Sequence, residues 1–150
     1  MVARRLVLAS TSPYRRALLE RLRLPFDVRS PQVDETALSG ESPHDLVVRL
    51  ALAKADAIAA KEASAVVIGS DQVADLDGAI IGKPGDHLRA TAQLRAMRGK
   101  RVVFRTGLAV VCREIGLREV DVADVAVRFR DFGDAEIERY LRLEQPYDCA

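Results

Sequence analysis

The chain has no tryptophan, two cysteines and two histidines, and aromatic residues make up only 5% of its 150 residues. Each shortage excludes something. Cys112 and Cys149 cannot build a disulfide framework and form no CxxC pair, so both read as free thiols. His44 and His87 lie far apart and lack the companions of a zinc site. A net charge of +1 removes the bulk electrostatic case for nucleic acid or an anionic membrane. Arg4-Arg5 precedes an apolar run too short for a signal-peptide core, and no stretch is long enough to span a bilayer. The expected setting is therefore a reducing cytoplasm. What is left is ordinary for a globular domain, 49% apolar and 30% charged. At this length one domain would bury roughly 68–70% of its unfolded surface.

The most informative stretch runs from Val66 to Pro84, VVIGSDQVADLDGAIIGKP. Val66-Val67-Ile68 suits a strand buried on both faces. It is expected to end in Gly69-Ser70-Asp71-Gln72, placing a carboxylate and an amide just past a strand's carboxyl end, where open α/β sheets bind ligands. Asp77-Gly78 predicts a tight hairpin between Val73–Leu76 and Ala79–Ile81, whose return brings Lys83 back towards Asp71. Asp71 alone could equally cap a turn. A phosphate loop is excluded: the spacing from Gly78 to Gly82 is one residue short of GxxxxGK[ST], and Pro84 stands where Ser or Thr is needed.

In chain order, Leu6–Ala9 reads as a buried first strand. Ser12 is a good helix N-cap and Pro13 suits the first helical position. The helix is expected to reach about Arg23, with Tyr14, Leu18 and Leu22 on one stripe. Its N-terminus, among three hydroxyls and beside Arg15 and Arg16, is ready for an anion, although a plain capped helix with solvated arginines would look the same. Phe26–Val28 suggests a short strand. An irregular stretch from Ser30 to Ser42 follows, with Asp34-Glu35, a pair that in such loops is usually just solvated. Pro43 opens a helix to about Lys61 with Val47, Leu50, Ala51 and Ile58 on its apolar stripe. Lys54 falls on that stripe, so it either snorkels to water or meets a buried anion. Asp86 or His87 begins a helix through Met97, closed by Gly99. Val102–Glu114 and Arg118–Phe129 read as strands joined at Gly116, the second with a bulge near Ala123-Asp124. Asp134 begins a last helix that Pro146 ends.

Taken together, LASTSPYRRALLERL, VDE, Lys54, GSDQV and GKP resemble the Maf family of nucleoside triphosphate pyrophosphatases over essentially the whole chain. Tyr14 and Gln72 make it similar to the branch acting on 7-methyl-GTP; the dTTP/UTP branch typically carries arginine and threonine there. The resemblance implies an α/β, Maf/ITPase-like fold with a central mixed, twisted β-sheet flanked by helices. It implies hydrolysis of a nucleotide to its monophosphate and pyrophosphate, with Asp71 as proton acceptor. Ser10, Arg15, Lys54 and Lys83 then match substrate and phosphate positions, Tyr14 and Gln72 base specificity. Glu35 and Asp71 match ligands of Mg²⁺ or Mn²⁺. These types suit the chemistry, since cations screen a triphosphate and carboxylates offer a hard metal its oxygens.

The implied partner is a nucleotide, with no nucleic acid and no membrane, and a homodimer stands among the assemblies open to it. The family continues past Cys149-Ala150 with a glycine and a C-terminal segment. The expectation is thus one domain over residues 1–150, incomplete at its C-terminus. Two alternatives stay open: a pyrophosphatase for another nucleotide such as dTTP or UTP, and a non-catalytic nucleotide-binding regulator of cell division.

Overall fold

A computed structural model describes residues 3–149. In order the elements are β1 (Leu6–Ala9), α1 (Pro13–Glu20), β2 (Asp27–Arg29), α2 (Pro43–Ala59), β3 (Val66–Leu76), β4 (Ala79–Ile81), α3 (His87–Met97), β5 (Arg101–Cys112), β6 (Leu117–Arg128) and α4 (Asp134–Glu144). The six strands make one open mixed sheet in the order β2-β1-β3-β5-β6, with β4 paired to β3, and four helices flank it. β1 runs parallel to both β2 and β3, and β3 runs antiparallel to β4. No described helix is long and apolar enough to cross a membrane. The chain falls into two compact units, one of residues up to Asp71 with Thr106–Ala123, the other of Gln72–Arg105 with Asp124 onward.

In the first unit, local signals set the helix starts. Ser12 Oγ accepts from the Arg15 N–H and Ser42 Oγ from the Asp45 N–H, each with proline at the first helical position. Val47, Leu50, Ala51 and Ile58 are buried, so the stripe expected on α2 is its core face. Ala51, Ala55, Ile58 and Ala59 pack with Val7, Ala9, Val67, Ala109 and Val111 of β1, β3 and β5. Two glycines let α2 lie close. A Cβ on Gly69 of β3 would stand 2.2 Å from the Ala51 carbonyl oxygen, and one on Gly107 of β5 would stand 2.3 Å from that of Val47.

Two expectations for this unit need correction. β3 does not break at Gly69; it runs unbroken for 11 residues and holds Asp71 in mid-strand. Gly69 serves close packing rather than a turn. β1 stops at Ala9, paired with Gly69, so Ser70 and Asp71 lie beyond that last pair. Second, α1 stops at Glu20 rather than Arg23, with Arg23 in a left-handed conformation. The Tyr14–Leu18–Leu22 stripe is exposed, at 54%, 62% and 62%, and α1 buries nothing. Periodicity identified an apolar face, which by itself does not say what covers it.

In the second unit, Asp77 (φ 50) and Gly78 (φ 88) form the two-residue turn that joins Leu76 to Ala79, both left-handed as a type I′ hairpin requires. Asp86 caps α3 through the Arg89 N–H, and Gly99 (φ 70) follows its end. Ala74, Leu76, Met97 and Val102 form one core cluster, and Ala90, Ile137 and Leu141 another under α3 and α4. β6 runs from the first unit into the second, continuous through Ala123-Asp124, and is largely exposed at the end of the sheet order. With so little burial, its change of hydrophobic phase requires no change of face.

Candidate active site

The site is clearest around Lys54. Its stem leaves the apolar face of α2, the ammonium is buried, and Nζ donates to Asp71 Oδ1 at 2.9 Å. Glu35 Oε1 lies 2.5 Å from the same Nζ. Lys54 therefore does not snorkel; it meets a buried anion. Side-chain exposure is 6% for Lys54, 11% for Asp71 and 54% for Glu35, so the two carboxylates reach one cation from opposite solvent regimes. A buried charge persists only when paired and hydrogen-bonded, and this one has both partners.

The geometry follows from elements already described. Gly69 brings the α2 backbone against β3, which sets the height of Lys54 over the strand. Asp71, two residues on, points to the same face as Gly69 because strand side chains alternate. Glu35 comes from the irregular loop 30–42. That loop is tied down by Asp34, Thr36, Glu41 and Arg49. Thr36 N–H donates to Asp34 Oδ1 at 2.9 Å, and Arg49 of α2 donates to the Thr36 carbonyl at 3.0 Å and to both oxygens of Glu41 at 2.6 and 2.9 Å. The Arg49 fork, then the Leu38 N–H, lower the Glu41 carboxyl to about 2. A glutamate just before the Ser42 cap, eight residues ahead of a helical arginine, was the only sequence trace of this arrangement.

Ser10 is buried directly after β1, level with Ser70 in the parallel register, and its Oγ accepts from the Ser12 N–H at 3.0 Å. Arg15, half-buried, and the exposed Tyr14 lie in the first turn of α1, so Ser10, Tyr14 and Arg15 gather at one strand-to-helix junction. Gln72 and Lys83 belong to the second unit. Gln72 is exposed on β3, and Lys83 is exposed just past β4, where the Gly82 carbonyl accepts from the Gln93 amide at 3.0 Å.

Among the described residues no three His, Cys, Asp or Glu side chains cluster as a ready-made metal cage. Glu35 and Asp71 converge on the Lys54 ammonium, and their carboxylate oxygens are of the hard type that suits Mg²⁺ or Mn²⁺, ions that usually take one or two protein carboxylates and complete their shell with water and phosphate. The donor set fits such an ion when a phosphate accompanies it.

Residues 5–150 match the model of the Maf-like protein family. The chain is 61% identical over 149 residues to a 7-methyl-GTP pyrophosphatase of Albidiferax ferrireducens, covering 99% of this chain and 75% of that protein. It is 63% identical over 148 residues to one of a Polaromonas species, covering 99% and 68%. A third, from Pseudomonas syringae pv. tomato, is 54% identical over 145 residues, covering 97% and 76%. With its family model matched almost end to end, this chain belongs to the Maf family.

Proposed function

We propose that the chain is a nucleoside triphosphate pyrophosphatase that hydrolyses 7-methyl-GTP to 7-methyl-GMP and pyrophosphate. The observation that carries this reading is the buried Lys54–Asp71 pair with Glu35, set beyond the last residue of β1. An acid held in place there has the position and the charge to accept a proton from an attacking water. The oxygen of that water forms a bond to the α-phosphorus, the bond from the α-phosphorus to the bridging oxygen breaks, and pyrophosphate leaves. The proton passes to Asp71 and then to solvent.

A triphosphate brings several negative charges, and catalysis of its cleavage is largely positioning and electrostatics. Lys54 is the fixed cation of this site. Arg15, in the first turn of α1, would meet phosphate oxygens beside Ser10. The family pattern gives Lys83 the same duty and gives Gln72 a guanine edge to read, since an amide both donates and accepts. Glu35 and Asp71 would hold a divalent cation, which when bound neutralises phosphate charge and fixes its geometry. Tyr14, exposed in the first turn of α1, suits the cationic 7-methylguanine ring, worth about 0.5–2 kcal/mol over an aromatic face. The free thiols Cys112 and Cys149 suit a reducing, cytoplasmic setting.

The test is pyrophosphate release by the purified chain from 7-methyl-GTP, GTP, dTTP and UTP, with Mg²⁺ or Mn²⁺. Preferential turnover of 7-methyl-GTP is the expected result. Preference for dTTP or UTP would move the chain to the other substrate class. Binding without turnover of any of them would make it a non-catalytic nucleotide sensor.

A further inference from the structure

The loop that carries Glu35 has no secondary structure of its own from Ser30 to Leu38, yet Glu35 meets a buried ammonium at one defined place. Something must supply the order that the backbone does not. Arg49 is the residue placed to do it. It sits on α2 five residues before Lys54, so whatever it holds is held relative to Lys54 by one rigid helix.

Its guanidinium forks onto both carboxylate oxygens of Glu41, at the far end of the loop, and donates a third bond to the Thr36 carbonyl, one residue from Glu35. Glu41 in turn accepts from the Leu38 N–H at 3.0 Å, and the Glu41 N–H donates to the Leu38 carbonyl at 3.1 Å. The loop is thus closed on itself at Leu38–Glu41 and pinned to α2 at Thr36. The Glu41 side chain is 7% exposed, so this ion pair is poorly screened compared with the surface pairs elsewhere. Lysine could not replace the arrangement: an ammonium is a point charge, whereas the planar guanidinium makes two parallel bonds to one carboxylate and keeps a donor for the carbonyl. After Glu41, the charges of Asp34 and Asp71 also favour the charged guanidinium.

We propose that Arg49, locked by Glu41, is a positioning residue that holds the 34–38 segment so that Glu35 stays on the Lys54 ammonium, and that it acts on catalysis only through Glu35. The proposal rests on the pyrophosphatase reading for its catalytic half. Two variants test it, Arg49→Lys, which keeps charge and loses the fork, and Glu41→Gln, which keeps shape and loses the ion pair. Amide hydrogen exchange is read over residues 33–41, together with kcat and KM for 7-methyl-GTP in the wild-type and Glu35→Gln backgrounds.

In both variants exchange across 33–41 should quicken about tenfold while α2 and β3 keep their protection. In the wild-type background kcat should fall about tenfold. Once Glu35 is already glutamine, Arg49→Lys should change kcat less than twofold, the non-additivity expected when one residue works through another. Unchanged exchange would overturn the clamp. Penalties that multiply independently would overturn its action through Glu35. If the wild type released no pyrophosphate from any nucleotide, the pyrophosphatase reading and the catalytic half would fall together, and exchange alone would decide whether Arg49 orders the loop.

Discussion

Alanine at Gly69 should damage this protein severely, because the methyl group it adds has no room against α2. The new Cβ would stand 2.2 Å from the Ala51 carbonyl oxygen and 2.7 Å from the Ala55 nitrogen, against the 3.4 Å at which ordinary contact begins. Both obstacles are helix backbone, which cannot rotate away as a side-chain tip does. Relief requires α2 to lift from β3 by about 1 Å, through a core of close-packed alanines that has no slack. Overpacking of this kind costs about 1–3 kcal/mol, and rigid obstacles place it at the upper end. At this chain length that is a fall in Tm of roughly 6–12 °C. The same lift moves Lys54 off Asp71, and a displacement of about 1 Å at reacting groups costs on the order of 10²-fold in rate. Thermal melting and pyrophosphate release read the two effects. Gly82→Ala is the control, because nothing lies within 4 Å of a Cβ there, and its stability should stay within about 0.5 kcal/mol of wild type. A Gly69→Ala protein that melts within about 1 °C of wild type at full activity would refute the packing argument.

Three further outcomes are expected. Lys54→Met leaves the buried Asp71 carboxylate without its cation, and breaking a buried pair from one side costs about 3–5 kcal/mol, readable by urea unfolding; a loss under about 1 kcal/mol would mean that the pair is already well hydrated. Glu41 is lowered from 4.5 to about 2, so its stabilising contribution is complete above about 4.5 and is lost as pH falls towards about 2. Unfolding measured across that window should show a steeper loss for wild type than for Arg49→Gln, and equal slopes would contradict the pairing. Tyr14→Ala should cut the preference for 7-methyl-GTP over GTP about tenfold, equivalent to about 1.4 kcal/mol, in a comparison of kcat/KM. An unchanged ratio would remove Tyr14 from base recognition.

What the sequence disclosed was chiefly what local chemistry decides. Ser12-Pro13, Pro43, Asp86 and Gly99 mark helix ends, and Asp77-Gly78 marks the hairpin, because caps and left-handed turns depend on the residue at the spot. The buried stripe of α2 was legible for the same reason, and so was the choice posed by Lys54. The misreadings share a different cause. Gly69 looked like punctuation ending a strand, while its work is to admit the backbone of a helix ten and more residues earlier. The apolar residues of α1 announced a face whose exposure no pattern could reveal. Arg49 and Glu41 carry no motif, and their joining depends on how a loop folds back onto α2. Asp71, Lys54 and Glu35 stood out only in combination, through the family pattern, because each alone has a commoner and duller explanation.

Water attacking the α-phosphorus, with Asp71 accepting its proton, leaves an isotopic signature in the products. Hydrolysis of 7-methyl-GTP in ¹⁸O-water, followed by mass spectrometry of both products, distinguishes attack at the α-phosphorus from attack at its neighbour. The label should appear in 7-methyl-GMP and be absent from pyrophosphate, and Asp71→Asn should lower the rate of labelling by about 10²–10⁴-fold, the usual worth of a general base. Label in pyrophosphate, or labelling by Asp71→Asn at the wild-type rate, would contradict the account.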